Sequence, residues 1–290
     1  MHELRAPSLY EKETMLEALI PAMARVTENL GQDCFADSMM QLFEHICPVQ
    51  SLAAFAFLEQ ERPQLLLDIY EQGIMGKQAS MSRYMSGAYL LDPYFQACQE
   101  QRPTGMYRLT ELAADDFEQS EYFRQYFQYA NFADEIGYLL RIEQGYIHLS
   151  LCRTSAFDEA TRTTLNTLCP WVLAVMSQHW KEIRQPSRAT ESDNMHQRLQ
   201  QAFTQFGQSF LTQREAEIAR LLLQGHSTKS MAERLSISME TVKVHKRNLY
   251  SKLDINSQSE LFSLFLNSLS TLGPQDMGDP LLAYHQRPGN

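Results

Sequence analysis

Positively charged side chains at helical spacing mark residues 238–253. The cations are Lys243, Lys246, Arg247 and Lys252. No acidic residue lies between the first and the last of them, and the apolar residues Val242, Leu249 and Leu253 recur on another side of the same predicted helix. A helix with one apolar face and one cationic face fits a protein core on one side and the major groove of DNA on the other. For this stretch alone, a solvated surface helix is the alternative.

Two shorter helices are predicted before the cationic one. Thr212 and Glu215 have the spacing of a capping box that starts the first of them. Ser227 can cap the second, which covers residues 228–235, and residues 236–238 then turn into the cationic helix. A helix, a tight turn and a cationic helix form a helix-turn-helix arrangement, so double-stranded DNA is the predicted partner.

Several motifs run through residues 210–269. They include Leu211-Thr-x-Arg-Glu-x-Glu, Ala232-Glu-Arg-Leu, Thr241-Val-Lys-Val-His245 and Tyr250-Ser-Lys-Leu253. The segment resembles the DNA-binding domain of the LuxR/FixJ family. The resemblance implies that Lys243, Val244 and Arg247 face base edges, and that Lys229, Thr241, His245 and Lys246 lie near phosphates. His245 has an alternative role as a packed histidine that is hydrogen-bonded within the module.

The last helix of this module, residues 258–269, holds more apolar residues than one face needs. Phe262 and Leu266 are left over once the module's core is complete. They pack either on the preceding domain or on a second copy of the chain, as the family resemblance implies. A homodimer would place two recognition helices about one DNA turn apart, which predicts an inverted-repeat operator. RNA polymerase is a further partner that transcription regulation would involve.

Aromatic rings and acidic residues are concentrated between residues 84 and 138. The candidate ligand-binding residues are Tyr84, Tyr89, Asp92, Tyr94, Tyr107, Tyr122, Tyr126 and Glu135. Rings together with carboxylates can hold an amine or an amino-acid-like cation through cation–π contacts and charge-assisted hydrogen bonds. The alternative for each residue is a place in the core, or, for Asp92, a helix cap before Pro93.

Residues 11–184 are predicted to form an α+β sensor in which helices cover an antiparallel sheet. The predicted strands are residues 51–58, 64–70, 134–142 and 146–153. The predicted helices include residues 116–129 and 157–183, and residues 103–112 are a loop or short edge strand. The order resembles GAF-type and LuxR-type ligand-sensing domains. It lacks the repeated βα units of a receiver domain, so control by phosphorylation is not expected.

The rest of the chain divides into three parts. Residues 185–209 are a linker with a connecting helix that packs on something, for instance its own copy in a dimer. Residues 210–269 are the all-α, four-helix helix-turn-helix domain, and residues 270–290, with three Gly and three Pro, are predicted to be disordered.

Charge is distributed unevenly along the 290 residues. The chain carries a formal charge of −10, yet residues 210–269 hold eight Lys/Arg against six Asp/Glu, which leaves −12 on the remainder. Such a chain is compatible with local DNA binding. The five cysteines contain no CxxC pair, and no segment has the pattern of a signal peptide or a membrane span. We expect a soluble cytoplasmic protein without metal or cofactor, and no enzyme motif is present.

These features predict a transcription regulator whose operator binding responds to a small molecule in the sensor. A receptor for acyl-homoserine lactones is one alternative, because that family shares the Asp-Pro pair found here at Asp92 and Pro93. The Trp that precedes this pair in the family has no counterpart in this sequence. A ligand-independent DNA-binding dimer, with a purely structural front domain, is the other alternative.

Overall fold

The computed structural model describes residues 9–59, 61–70, 81–82, 84–128, 131–184, 191–270 and 278–286. A five-stranded antiparallel sheet organises the first part of the chain. Its strands are β1 (Ser51–Leu58), β2 (Gln64–Tyr70), β3 (Gly105–Arg108), β4 (Asp134–Ile142) and β5 (Gly145–Arg153). Their order is β2-β1-β5-β4-β3. The two predicted hairpins therefore join through the β1–β5 pair, and the α+β prediction for this part is confirmed.

Helices surround the sheet, and every regular element described in the second part of the chain is a helix. In the sensor they are α1 (Leu9–Glu28), α2 (Phe35–Glu44), α3 (Pro93–Gln99), α4 (Leu109–Leu112), α5 (Glu121–Phe123) and α6 (Glu159–His179). Beyond it follow α7 (Glu191–Gln205), α8 (Gln213–Leu223), α9 (Thr228–Leu235), α10 (Met239–Leu253), α11 (Gln258–Ser270) and α12 (Pro280–His285). The helical C-terminal module agrees with the predicted fold class.

The two faces of the sheet pack against different cores. Leu52, Ala54 and Leu149 belong to the core that includes α1, α2 and α6, whereas Ala53 and Phe55 belong to a core on the opposite face. Because side chains alternate along a strand, neighbouring residues of β1 reach different cores. The second core continues without a break into the helix-turn-helix module. The sheet face that could hold a ligand is thus the face nearer to the DNA-binding module.

A single helix was predicted over residues 116–129 from the ladder of rings, but residues 116–128 do not form one, and Tyr129 lies outside the described residues. The segment instead holds a 3-10 turn at Phe117–Gln119, the short helix α5, and a π-helical turn at Arg124–Gln128. Ser120 explains the break, because it has extended backbone angles and its side chain accepts a hydrogen bond from the backbone N–H of Phe123. It therefore starts a new helix as an N-cap.

The prediction of a disordered tail was wrong for residues 278–286. Asp279 caps α12, and its carboxylate also accepts hydrogen bonds from the backbone N–H groups of Gly207 (2.9 Å) and Ser209 (2.7 Å). Leu281 is fully buried. Asp279 and Pro280 are the same cap-and-first-turn pair that the sequence offers at Asp92 and Pro93. The tail thus closes over the junction between α7 and the module.

The connecting helix α7 packs within its own chain. Leu199, Ala202 and Phe206 are buried, and the ring of Phe206 lies 5.4 Å from that of Phe265 on α11. Phe262 is also buried, with 1% of its surface exposed. Of the two alternatives for Phe262, packing within the chain describes this arrangement of the domains, because the chain itself covers the side chain. Leu266 is half-buried.

Among the described residues, no helix has the length and apolar character that crossing a bilayer requires.

Candidate functional site

A cavity of about 110 Å³ lies between the sheet and the segments that cover it. Its floor consists of alternate residues of three adjacent strands, which share one face because side chains alternate along a strand. These floor residues are Ser51, Ala53, Phe55, Glu135, His148, Ser150 and Cys152. The strand register places Phe55 beside His148 and Glu135 beside Cys152. Sequence alternation could have suggested this face, but only the pairing register brings the polar residues together.

The roof of the cavity comes from irregular segments between the two hairpins. Its residues are Met81, Tyr84, Asp92, Tyr122, Tyr126, Phe127 and Phe132. Tyr122 and Tyr126 belong to the broken helical segment, and their rings lie 4.7 Å apart. Tyr84 packs against Phe55 of the floor, with ring centroids 5.2 Å apart. The roof is therefore aromatic, and it belongs to a segment with irregular backbone.

Asp92 is both a helix cap and a cavity residue. One carboxylate oxygen accepts a hydrogen bond from the backbone N–H of Tyr94 (2.8 Å), and the other accepts one from the Tyr84 hydroxyl (2.7 Å). Burial raises the pKa of Asp92 to about 6, although these hydrogen bonds act in the opposite direction. The cap role and the functional role, which were alternatives for the sequence, therefore coexist.

Glu135 lies at the start of β4 with 6% of its surface exposed. The hydroxyl of Ser150 donates a hydrogen bond of 2.5 Å to its Oε1 atom. Burial, and secondly the negative charge of Asp92, raise the pKa of Glu135 to about 8. A side chain with this pKa is mostly protonated at neutral pH, and it ionises if a positive charge arrives beside it.

His148 is the cavity residue that the sequence did not single out. Its ring stacks on that of Tyr94 with 4.1 Å between centroids, and its Nε2 atom lies 3.8 Å from Oε1 of Glu135. Neither ring nitrogen has a hydrogen-bond partner among the described residues. Burial lowers the pKa of His148 to about 3, so the imidazole is neutral at physiological pH. A Cβ atom at Gly137 would collide with both rings, which explains glycine within this strand.

The structure brings five of the eight candidate ligand-binding residues to the cavity. They are Tyr84, Asp92, Tyr122, Tyr126 and Glu135. Tyr89 and Tyr94 are fully buried in the core beside it, where Tyr94 supports His148. Tyr107 lies on edge strand β3, and its hydroxyl donates a hydrogen bond to the backbone oxygen of Pro103. These three tyrosines therefore occupy core or edge positions and do not line the cavity.

The helix-turn-helix module has the caps that the sequence predicted. Thr212 and Glu215 form a reciprocal capping box at α8, and Ser238 caps α10 by accepting from the backbone N–H of Thr241 (3.1 Å). Lys252 donates a hydrogen bond to the buried Glu215 across 2.7 Å. Lys252, on the cationic helix, is therefore held by the module itself.

The outward face of α10 presents the three candidate base-reading residues. Lys243, Val244 and Arg247 are all exposed. The ammonium group of Lys243 lies 2.7 Å from Glu240, but both side chains are more than half exposed. Such a pair contributes little free energy, so a guanine or a phosphate can replace Glu240. The geometry leaves this face open.

The candidate phosphate-binding residues surround that face. Lys229 is exposed, whereas Thr241, His245 and Lys246 are half-buried. The Lys246 ammonium lies 5.6 Å from the centre of the Tyr250 ring, so its stem runs along the helix surface. Half-burial of His245 agrees with both of its predicted roles.

The sensor contacts the helix-turn-helix module next to the cavity. The carboxylate of Asp115 accepts hydrogen bonds from the backbone N–H (3.0 Å) and from the hydroxyl of Ser227, the cap of α9. The backbone N–H of Asp116 donates to the oxygen of Gly225 (3.0 Å). A Cβ atom at Gly225 would lie 2.9 Å from Cα of Phe117, so the backbones approach closely at this glycine. Helix α11 also touches α5.

Comparison with known proteins identifies relatives of both parts. Residues 209–265 match the model of bacterial regulatory proteins of the luxR family. An HTH-type transcriptional regulator from the exeN 3′ region of Aeromonas salmonicida is 33% identical over 199 residues, which cover 65% of this chain and 100% of that protein. The nitrate/nitrite response regulator NarP of Escherichia coli K12 is 48% identical over 58 residues, which cover 20% of this chain and 27% of NarP.

The sensor has a structural relative as well. The LBD domain of VqsR from Pseudomonas aeruginosa, known from a crystal structure, has 27% sequence identity to this chain and a TM-score of 0.50. The match covers 58% of this chain and 99% of that domain. The relatives are transcription regulators, not enzymes. A relative matched over its own whole length, a family match over the cationic helix and a similar sensor agree with the geometry. The chain belongs to the LuxR family of bacterial transcription regulators.

Proposed function

We propose that a small molecule bound in the sensor cavity changes the affinity of this regulator for its operator. The observation that carries the proposal is the position of residues 115–128. At one end of this segment, Asp115 and Asp116 contact the helix-turn-helix module. At the other end, Tyr122 and Tyr126 line the cavity. One short stretch of irregular backbone thus touches both sites.

Rings connect the two ends of the segment. Phe117, next to the contact with Gly225, packs against Tyr122 and Phe127 with centroids 5.9 and 6.2 Å apart. A ligand that fixes the cavity rings in one arrangement therefore changes the free energy of the contact with the module. We call the arrangement docked when Asp115 and Asp116 contact the module, and undocked when they do not. The coupling requires that the ligand binds these two arrangements with different affinities.

The docked arrangement is proposed to be the one with low operator affinity. Phe262 is buried inside the chain, and α11 touches α5 of the sensor. If two copies meet through Phe262 and Leu266 of α11, the sensor must first leave this helix. Undocking would then permit the homodimer, and the homodimer would bind an inverted repeat through two copies of α10.

The roles in DNA binding follow from charge and exposure. Lys243, Val244 and Arg247 are proposed to read base edges, with Lys229 and Lys246 on phosphates. Thr241, in the first turn of α10, and His245, near its middle, are proposed to adjoin phosphates. The cytoplasm is the compartment in which this regulator would meet DNA and RNA polymerase.

The experiment compares Asp115→Ala with Asp116→Ala in the full-length chain. Asp116 contributes its backbone N–H to the interface, so its truncation is a matched control. Operator DNA is first selected from random duplexes with the unaltered chain, and affinities are measured by fluorescence anisotropy. We expect Asp115→Ala to bind about tenfold tighter, because one charge-assisted contact of the docked arrangement is lost. Asp116→Ala should bind as the unaltered chain does.

Hydrogen exchange provides an independent readout that needs no ligand. Linkage is reciprocal, so operator DNA should alter the sensor if the sensor alters operator binding. We expect the amide of Asp116 to exchange faster once operator is bound, because its acceptor on Gly225 moves away. Unchanged exchange over residues 115–128, together with an Asp115→Ala variant of unaltered affinity, would favour a purely structural sensor.

A further inference from the structure

The cavity contains two carboxyl groups, and no Lys or Arg among the described residues lines it to balance them. Among the described residues that line it, Asp92 and Glu135 are acidic, His148 is the one basic side chain, and neither Lys nor Arg occurs. Burial keeps His148 neutral. The remaining lining is aromatic, aliphatic or weakly polar. The charge pattern of the cavity is therefore complementary to a cation.

The neighbouring residue Asp134 shows how this fold supplies a cation where one is built in. The guanidinium of Arg108 donates to both carboxylate oxygens of Asp134, across 3.0 and 2.6 Å. Glu135 is the next residue of β4 and points to the opposite face of the sheet. Within 4 Å of Glu135, the only basic side chain among the described residues is neutral His148. One of the two adjacent carboxylates thus has its partner, and the other faces the cavity.

We propose that the cavity binds a small organic ammonium ion, whose charged nitrogen faces Glu135 and Asp92 and whose apolar body lies against the rings of Phe55, Tyr84 and Tyr122. This inference rests on the proposed function only in treating the cavity as the regulatory site. The ammonium group would donate hydrogen bonds to the carboxylates, and the rings would attract the cation through their faces. The orphan nitrogens of His148 add a neutral acceptor for a further N–H of the ligand.

The size of the cavity limits the ligand. A cavity of about 150 Å³ can hold one benzene molecule, and this cavity measures about 110 Å³. The ligand should therefore have about six non-hydrogen atoms or fewer, unless the roof moves. A short alkylamine or a five-membered-ring amine satisfies this limit, whereas a long acyl chain does not.

Binding should release a proton from Glu135. The groups that face Glu135 are Asp92 and Tyr84 from the roof, and His148, Ser150 and Cys152 from β5. Tyr122 approaches from the broken helix, and Asp134 and Tyr94 contribute weaker charge effects. With its pKa raised to about 8, Glu135 is mostly protonated at pH 7 and must ionise to pair with an ammonium ion. The affinity for an amine should then rise about fivefold between pH 7 and pH 8.

The test measures binding of cyclopentylamine and isopentylamine to the full-length chain by titration calorimetry. Each amine is paired with its neutral counterpart, cyclopentanol or isopentanol. We expect at least one amine to bind more than tenfold tighter than its alcohol. Calorimetry in buffers of different ionisation enthalpy should show the release of close to one proton at pH 7.

Glu135→Gln tests the proposed contact without disturbing the shape of the cavity. The amide matches the protonated carboxyl in size, so the variant should fold. We expect its amine affinity to fall about 10- to 100-fold and its pH dependence to disappear, with alcohol binding unchanged. Glu143→Gln, in the exposed turn between β4 and β5, is the matched control and should behave as the unaltered chain does.

The outcomes separate the ligand class from the proposed function. If an alcohol binds as well as its amine, or if Glu135→Gln leaves amine affinity intact, the ammonium inference is wrong. If butanoyl-homoserine lactone binds and changes operator affinity while both amines fail, the ligand class is wrong and the proposed function stands. If an amine binds through Glu135 and operator affinity does not change, the ligand class stands and the proposed regulation is wrong.

Discussion

Glu215 in the helix-turn-helix module and Glu135 in the sensor are both almost fully buried, with 3% and 6% of their surfaces exposed. Burial tends to raise the pKa of Glu215, but Lys252 and the backbone N–H of Thr212 hold it below its usual value. At Glu135 none of the described Lys or Arg residues is in place, and the pKa rises to about 8. A buried carboxylate with its partners supplied strengthens a fold, whereas one without them is maintained at a cost in stability.

This contrast separates a structural region from a site. In the module, the capping box supplies hydrogen bonds to the buried carboxylate of Glu215, and Lys252 supplies the opposite charge. Both make the burial of a charge tolerable. In the sensor, the same kind of residue is placed on a cavity with aromatic walls. A stable fold alone gives no reason for a carboxyl group there, because a neutral amide of equal size would cost less to bury.

The largest expected effect is on Glu135. Because its folded-state pKa is raised from 4.5 to about 8, the folded chain holds a proton that the unfolded chain has lost. Stability should therefore fall as pH rises from about 4.5 to 8. We expect Glu135→Gln to match the unaltered chain near pH 5 and to exceed it by roughly 2–4 kcal/mol at pH 8.5.

Urea unfolding of both chains at pH 5, 6.5 and 8.5 measures this difference. The upper interval isolates Glu135, since the pKa of Asp92, at about 6, places its own contribution lower. Equal stability of the two chains at every pH would mean that Glu135 is ionised and balanced without a ligand. The contrast between the two glutamates would then fail.

Glu215→Gln should have the opposite sign and a smaller size. Its pKa is lowered in the folded state, so the ionised side chain stabilises the module above pH 4.5, and this stabilisation is lost as pH falls through the folded pKa. Replacing it weakens the Lys252 contact and one arm of the capping box. We expect a loss of about 1.5–3 kcal/mol at pH 7, measured by the same urea titration, and a smaller loss at pH 3.

Much of the fold followed from local sequence signals. Strands β1 and β2 were predicted residue for residue, and the caps at Ser227 and Ser238 follow from residue type and spacing. The helix-turn-helix module was predictable for the same reason, because its turns and caps depend on neighbours in sequence. The candidate DNA face needed nothing beyond this, since helical periodicity already assigns its exposed side.

The sensor cavity was less accessible to such reasoning. His148 sits among apolar residues of β5, and only the pairing with β1 and β4 reveals that it faces Glu135. Ser120 interrupts a segment whose aromatic residues recur at helical spacing. Its role as an N-cap therefore determined the local structure more than the helical periodicity did. The contact between Asp115 and Ser227 joins residues 112 positions apart. No local pattern encodes a contact of that separation.

Arg247→Ala extends the comparison of charged residues to the candidate DNA face of α10, where the guanidinium is exposed. A guanidinium that donates to both guanine acceptors should be worth about 1–3 kcal/mol at one base pair. We expect the variant to lose specificity at a single operator position, measured by competition between operators substituted at each position in turn. An equal loss on operator and random DNA would mean that Arg247 meets only phosphate.

The smallest expected effect separates two lysines of α10. Lys246 is half-buried over Tyr250 but keeps its ammonium near the DNA face, whereas Lys252 is bound to Glu215. A lysine that neutralises one phosphate contributes about one unit to the slope of log affinity against log salt concentration. Lys246→Ala should therefore reduce that slope by about 1 with stability nearly unchanged.

Lys252→Ala should leave the slope unchanged and lower the unfolding free energy, because Glu215 then loses its cation. Anisotropy titrations at four salt concentrations, with urea unfolding of the same samples, distinguish the two. If both variants reduce the slope equally, Lys252 leaves Glu215 to contact phosphate when DNA binds. The lysines of α10 then do not divide into a structural and a functional residue.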